Sequence, residues 1–228
     1  MENESSLPRH VGLITDGNRR WAKEHGLPSL EGHRKGFEAG KKIIETAHKR
    51  GIKELTAWAF STGNWDRSKE EIDYLMRLFE SWLSDTLVQF KEKNVRIRVV
   101  GQKWRVPISF QRKIEEAENL TAGNTGMIYN MALSYGGRDE IVQGIKKIMA
   151  SGAKPQDVTE KTVSDSLWLP DIDLIIRTGG EQRLSGFMAW QATYAELFFV
   201  KKYLPDFNPD DFDEILAEYS QRQRRFGK

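Results

Sequence analysis

The stretch His10-Val11-Gly12-Leu13-Ile14-Thr15-Asp16-Gly17-Asn18-Arg19-Arg20-Trp21 sets the frame for the whole chain. An apolar run ends in a carboxylate, a glycine and two arginines. His10 to Thr15 is too short for a buried helix and reads as a strand. Beyond Trp21 the chain turns helical: Phe37, Ile43, Ile44 and Ala47 mark one face of a helix that stops at Gly51. The alternation then repeats. Leu55 to Phe60 is a second apolar run. Ser68 and Glu71 have capping-box spacing, and Ile72, Leu75, Met76, Phe79, Leu83, Leu87 and Phe90 continue at helical steps. Further runs lie at Val95 to Val100, Met127 to Leu133, Asp173 to Arg177 and Leu197 to Val200, with a helical stretch from Asp139 to Met149. Strand–helix alternation of this kind predicts a single α/β domain over residues 1–228, with a mostly parallel six-stranded sheet flanked by helices. Residues 1–9 are expected to be flexible.

Composition bounds the function. The chain has 228 residues, with 35 Lys+Arg against 33 Asp+Glu, so broad wrapping of nucleic acid is not expected. Cysteine is absent, which excludes disulfides, thiolate metal sites and a Cys nucleophile. No apolar run approaches the ~20 residues of a membrane span, and the start MENESSLPRH does not read as a signal peptide. The expected compartment is the cytoplasm.

In open α/β sheets ligands bind beyond the carboxyl ends of the strands. Four segments fall there: Asp16 to Trp21, Ser61 to Arg67, Ser134 to Arg138 and Thr178 to Ser185. All are rich in Gly, Arg, Asn and Ser, which suggests an anionic ligand carrying phosphate. In the first, Gly17 allows close backbone approach, and free N–H groups at a helix start favour anions. Asp16 would repel a bare phosphate; a divalent cation between them resolves the conflict, and a plain helix cap is the alternative. In the second, Trp65 must cover either core or ligand. In the last, Arg177 and Arg183 flank Gly179-Gly180 and can turn both guanidiniums toward one diphosphate.

These motifs together resemble the cis-prenyltransferases, the family of undecaprenyl diphosphate synthase, from about His10 to Gly227. The resemblance rests on D-G-N-x-R-W-A at Asp16 to Ala22, G-H at Gly32-His33 and F-S-x-x-N-W-x-R at Phe60 to Arg67. It continues with L-T-A-G-N-T-G at Leu120 to Gly126, Y-G-G-R at Tyr135 to Arg138 and I-R-T-G-G-E at Ile176 to Glu181. It ends in W-Q-x-x-Y-A-E-L at Trp190 to Leu197 and R-R-F-G at Arg224 to Gly227.

The resemblance implies elongation of an allylic diphosphate, such as farnesyl diphosphate, by isopentenyl diphosphate units with Z geometry. Asp16 would support Mg2+ on the diphosphate, and Glu196 would complete the metal site, from a partner subunit or through water. Gly17, Asn18, Arg19, Arg20, His33 and Arg67 would form the allylic diphosphate site. Arg177, Arg183 and Ser185 would hold isopentenyl diphosphate. Trp21, Ser61, Thr62, Trp65 and Leu184 complete the candidate substrate contacts. Asn64 would assist proton removal. Arg225 and Gly227, in the family's R-x-G element, would reach across a homodimer interface. Contact with a membrane would be peripheral at most, for product release.

An apolar tunnel is expected for the hydrocarbon tail, with Ala59 and the Ile72 to Phe90 helix as walls. Small Ala59 and an uninterrupted helix point to a product near C55; a short-chain enzyme or a non-catalytic subunit are the alternatives. The chain departs from the family pattern at Ser29 (often Arg), Gly63 (Glu), Gln182 (His), Gly186 (Asn) and Thr15 (Met). Asp210-Asp211-Phe212-Asp213-Glu214 superficially matches the aspartate-rich box of the trans-prenyltransferases. Its place after Asn208-Pro209 reads instead as an ordinary helix start. The basic tail around Arg224 lacks an aromatic platform for RNA.

Overall fold

The apolar runs become strands that pair side by side, and in a computed structural model they build one six-stranded sheet. The structure describes residues 7–222. In chain order the elements are β1 (His10–Ile14), α1 (Asn18–Glu24), α2 (Ser29–Lys49), β2 (Glu54–Ser61), α3 (Lys69–Glu92), β3 (Arg96–Val100) and α4 (Ile108–Thr121). Then come β4 (Ile128–Tyr135), α5 (Gly137–Ala150), α6 (Glu160–Ser166), β5 (Leu174–Arg177), β6 (Glu196–Phe199) and α7 (Pro209–Gln221). The strand order is β3-β4-β2-β1-β5-β6, and every pair is parallel.

Period-two alternation sorts side chains between two cores. Val11 and Leu13 of β1 pack on the larger one, which α2, α3, α4 and α7 cover with Ile43, Phe79, Phe110 and Phe212. Ile14 and, on β5, Ile175 face the smaller one, closed by Tyr135, Phe187 and Met188. The α3 pattern holds: Leu75, Met76, Phe79, Leu83, Leu87 and Phe90 are buried. Helix α7 starts as its sequence suggests, with the Asn208 side chain accepting from the Asp210 and Asp211 amides. The acidic box is therefore a helix start.

The topology locates the crevice. From β1 the chain moves to β2 on one side, while β5 lies on the other side of β1. At such a switch point the loops beyond the carboxyl ends part. Asp16 comes just after β1 and Arg177 ends β5, so the switch brings them together.

The α1–α2 corner depends on glycine. A Cβ on Gly32 would lie 2.0 Å from the Asn18 carbonyl oxygen, and one on Gly36 would lie 2.3 Å from Asn18 Oδ1. Only hydrogen at these positions lets α2 approach the Asp16 loop closely enough to bring His33 to the crevice.

Candidate active site

Asp16 anchors the crevice. Its backbone N–H is held by Thr178 Oγ1 at 3.0 Å, and its carbonyl accepts from the same hydroxyl at 2.7 Å. The next residue turns left-handed: Gly17 has φ 106°, and a Cβ there would come within 2.5 Å of the Tyr203 ring. The carboxylate accepts from Arg177 Nη2 at 2.9 Å and pairs with Arg20 Nη2 at 3.1 Å. Burial pushes the Asp16 pKa up, but the Arg177 hydrogen bond and the Arg20 charge outweigh it and hold the group below the usual carboxylate range. Asp16 is thus anionic at neutral pH.

Arg177 is buried at 5% exposure, which is unusual for a guanidinium. Besides Asp16 it donates through Nη1 to Ser185 Oγ at 2.9 Å and to the Arg183 carbonyl. Its Nε is buried with no partner among the described residues. Asn18 Oδ1 is also buried without one. Arg183 is exposed and pairs with Glu181, which also accepts from Arg20 at 3.3 Å. Glu181 therefore ties the two expected diphosphate clusters together. The loop carrying them is built from left-handed backbone at Gly179, Gly180, Ser185, Gly186 and Met188. Gly186 suits its φ of 88° as well as Asn would, so that departure from the family pattern is conformationally neutral.

A second cationic group lies across the crevice. His33 Nε2 and Arg67 Nη1 both donate to Glu71 Oε1 at 3.0 Å, and Arg19 Nη1 is 3.8 Å from Glu71 Oε2. Burial pushes the His33 imidazole down, against the opposing pull of the Glu71 hydrogen bond. The expected capping box forms only in half. Ser68 Oγ accepts from the Glu71 amide, but the Glu71 carboxylate turns to His33 and Arg67 instead of returning to the cap.

Between the groups opens a cavity of about 280 Å³. Its mouth carries Asp16, Asn18, His33, Asn64, Arg67 and Arg177, with Ser61 and Ser185 beside them. Its interior is mostly apolar, with Phe37 and Ile44 of α2, Leu75, Phe79 and Trp82 of α3, Ala59 of β2 and Met131 of β4, and Lys41 of α2 as a charged exception. The far wall is aromatic. Trp82 meets Tyr129 edge-on at 5.6 Å, Phe90 at 5.8 Å and Phe37 at 6.4 Å between ring centroids. Of the tunnel walls expected on α3, Leu75, Phe79 and Trp82 line the space, while Leu83, Leu87 and Phe90 are core.

Several expected contacts point elsewhere. Trp21 donates its indole N–H to Asp206 at 2.8 Å and stacks on His25. Thr62 packs on Gly136. Trp65 covers core: it packs on Phe60, donates to Ser134 Oγ at 2.8 Å, and carries the Arg105 guanidinium 4.7 Å above its ring. Leu184 packs against the smaller core. Asn64 lines the cavity, but its Oδ1 is taken by the Ser61 amide at 3.0 Å, leaving the NH2. Glu196 is far from Asp16 in this chain. It pairs in register with Leu174 at the start of β5, beside Val11 of β1, five residues or ~16 Å of strand before Asp16. Its carboxylate accepts from Arg222 Nη1 at 2.8 Å. Arg225 and Gly227 lie outside the described residues.

Two cation clusters facing each other over an apolar cavity suit a molecule with an anionic head and a hydrocarbon tail. Residues 14–227 match the undecaprenyl diphosphate synthase family of prenyltransferases. The chain belongs to this family. Among its relatives, an isoprenyl transferase of Bacillus thuringiensis is 43% identical over 228 residues, covering 97% of this chain and 88% of that one. A ditrans,polycis-undecaprenyl-diphosphate synthase of Vibrio parahaemolyticus, named as specific for (2E,6E)-farnesyl diphosphate, is 42% identical over 97% of this chain and 91% of its own. Among solved structures, lavandulyl diphosphate synthase from Lavandula x intermedia in complex with dimethylallyl diphosphate superposes with a TM-score of 0.94. It is 38% identical, covering 99% of this chain and all of that one. The protein is thus a transferase of prenyl groups.

The undecaprenyl diphosphate synthase motifs mark most of the mouth. They assign no role to Glu71, Glu181 or Thr178, which the structure places there. Glu71 carries one available signal, its four-residue spacing from Arg67, and the capping-box reading hides it. Glu181 and Thr178 stand inside a recognised motif whose chemistry falls to its arginine.

Proposed function

We propose that this prenyltransferase condenses isopentenyl diphosphate onto an allylic diphosphate with Z geometry, using Mg2+ and releasing diphosphate. The observation that carries it is the pairing of Asp16 with buried Arg177, whose Nε, at the mouth of a mostly apolar cavity, lacks a partner among the described residues. A buried donor without an acceptor calls for one from a ligand. In this reading Arg177, Arg183 and Ser185 bind isopentenyl diphosphate. His33, Arg67, Arg19 and Arg20 bind the allylic diphosphate, with Gly17 and Asn18 lending backbone and amide. Asn64 offers its NH2 near the reacting carbons and assists loss of the proton.

Among the described residues no three His, Asp or Glu side chains gather as a metal cage. That suits Mg2+, which commonly takes one or two carboxylates and completes its shell with waters and substrate phosphates. Asp16 would hold it, and the ion would neutralise charge developing on the departing diphosphate. The crevice residues do the rest. Their guanidiniums fix two anions side by side, and the apolar walls exclude water from the allylic carbon.

Cavity size argues for a short tail. A ~150 Å³ apolar cavity holds one six-carbon ring. By that measure about 280 Å³, polar mouth included, accommodates roughly eleven carbons, about the tail of a ten-carbon allylic starter. The geometry thus supports the short-chain alternative over the product near C55 expected from Ala59 and α3. The farnesyl specificity in the Vibrio relative's name supports a C15 starter, whereas the lavender enzyme's complex holds a shorter one.

We further propose a homodimer. Val142, Ile145 and Met149 expose apolar side chains at helical spacing on α5, and Leu197 does so on the edge strand β6. Glu196 stands on that same strand, where a partner copy can bring it to the second site. Among the described residues no helix is long and apolar enough to cross a membrane. The proposed setting is the cytoplasm, with at most peripheral membrane contact as product leaves.

Incorporation of labelled isopentenyl diphosphate by the purified chain, with Mg2+ and then with excess chelator, tests the reaction. Extractable product that depends on both Mg2+ and an allylic primer is expected. No incorporation with dimethylallyl, geranyl or farnesyl diphosphate would support the non-catalytic subunit instead.

A further inference from the structure

We propose that Glu71 is a positioning residue of the allylic-diphosphate cradle, holding His33 and Arg67 where they meet the anion. The inference rests on the reading that these two side chains face the allylic diphosphate. A carboxylate is an unexpected neighbour for a bound diphosphate, because it repels the ligand. Its retention needs a compensating job, and its contacts name one. Glu71 is only 13% exposed and gathers donors from separate elements: His33 on α2, Arg67 ahead of α3, and Arg19 on α1.

Two plainer roles fit poorly. As a helix cap, Glu71 would turn its carboxylate to the Ser68 amide; it does not. As a solvated ion pair it would lie on the surface, whereas its partner His33 has a side chain 7% exposed. Buried hydrogen-bonded charge fixes geometry more than it adds stability. Here it fixes the N-terminal ends of α2 and α3, two helices that line the cavity.

The contact also sets ring chemistry. With Nε2–H donated to Glu71, the imidazole keeps Nδ1 for another partner. A neutral Nδ1 presents a lone pair, which a phosphate oxygen repels; a protonated one donates. The charged groups around the ring are Glu71, Arg67 and Arg19, with Asp16, Arg177 and Lys41 lining the same cavity. Of the three nearest, only Glu71 favours the imidazolium. The diphosphate adds negative charge, so binding is accompanied by proton uptake at His33.

The test uses the full chain with Mg2+ and both substrates. Glu71→Gln keeps the shape and removes the charge; Ser68→Ala removes the helix cap and leaves the carboxylate. For Glu71→Gln we expect KM for the allylic diphosphate to rise about tenfold, with KM for isopentenyl diphosphate and kcat within about threefold of wild type. In wild type the allylic KM rises with pH as His33 loses its proton. In Glu71→Gln that rise moves to lower pH, because the group that favoured protonation is gone. Ser68→Ala should lower Tm without this split. An unchanged allylic KM, or an equal rise for both substrates with a lower Tm, overturns the positioning role while the prenyl-transfer reading stands. A selective rise for isopentenyl diphosphate instead overturns the assignment of the two anion sites and leaves Glu71 as an organiser of the other one.

Discussion

The mouth and the floor of the cavity are built on opposite principles. At the mouth, charges hold one another: Asp16 is tied to Arg177 and Arg20, and Glu71 to His33 and Arg67. Its backbone is bent, with left-handed residues at Gly17, Gly179, Gly180 and Ser185. Deeper in, the lining is mostly apolar, with Lys41 of α2 as a charged exception, and Trp82, Tyr129 and Phe37 close the space with aromatic edges. Burial pushes the Tyr129 phenol well up, so it stays neutral in the working range. In the proposed reaction the mouth would govern whether transfer occurs, and the floor how far elongation proceeds. Each can be broken without the other.

The largest effect belongs to Asp16. Replacing it with Asn keeps the bulk and removes the negative charge. Turnover should fall about 10²–10³-fold, since each ~1.4 kcal/mol of lost transition-state stabilisation is tenfold in rate. Asp16→Ala should cost stability as well, because buried Arg177 then loses its carboxylate. Steady-state rates with product sizing check both variants. The lengths formed by residual activity should not change; if they did, mouth and floor would not be separable.

The floor offers the next largest change. Each isoprene unit that finds room buries five carbons, gaining ~3–4 kcal/mol at ~0.8 kcal/mol per CH2. Growth therefore continues until the wall stops it. Trp82 is half-buried and lines the cavity, so Trp82→Ala should lengthen the product by one or more units while kcat for the first condensation stays near wild type. Tyr129→Leu should act in the same direction more weakly. Ala59→Leu, nearer the reacting end, should shorten the product or stall the tail, since overpacking costs ~1–3 kcal/mol. Chromatography of dephosphorylated products reads all three. A wild-type product near C55 would mean that Trp82 and Tyr129 move aside as the tail grows.

The same contrast explains what the sequence discloses. Mouth residues sit just past strand ends, in contiguous runs such as Asp16 to Arg20 and Arg177 to Ser185. One strand-to-loop reading therefore finds several at once. The six strands, their parallel arrangement and helices α2, α3 and α5 are legible from periodicity. Helix α4 is not: its buried face is Phe110, Ile114, Ala117 and Thr121, of which two are weakly hydrophobic, while Ile108 and Leu120 are exposed and blur the pattern. The floor is not legible either. Phe37, Trp82 and Tyr129 come from α2, α3 and β4, and each looks locally like a core residue. Only the folded arrangement shows that a cavity ends against them. Trp21 and Trp65 mislead for the converse reason: they lie inside mouth motifs, yet their indoles bind Asp206 and Ser134.

A milder test probes the division of the mouth itself. Arg183 is exposed and, among the described residues, its guanidinium reaches only Glu181, so Arg183→Ala should fold normally. Losing one charge-assisted contact, worth ~1.5–3 kcal/mol, should raise KM for isopentenyl diphosphate about tenfold or more. The allylic KM should move less. A larger allylic shift would place Arg183, through Glu181 and Arg20, on the other side of the mouth.

The smallest expected effect is a gain. Ser29 is the first residue of α2 and is exposed, where many members of the family carry Arg. It lies four residues before His33, so both project from one helix face a turn apart. An arginine there would extend toward the anion that His33 and Arg67 await. Two terms oppose each other. A charge-assisted hydrogen bond to diphosphate contributes ~1.5–3 kcal/mol. A cation at a helix N-terminus costs ~0.3–1 kcal/mol against the macrodipole, and Glu31 in the first turn offsets part of that. The bond outweighs the dipole, so Ser29→Arg should tighten allylic diphosphate binding several-fold and leave isopentenyl diphosphate and product length unchanged. Calorimetry with a non-reactive allylic analogue reads the affinity directly. Unchanged affinity would mean that Arg19, more than half exposed and 3.8 Å from Glu71, already swings in to make the contact that Ser29 cannot.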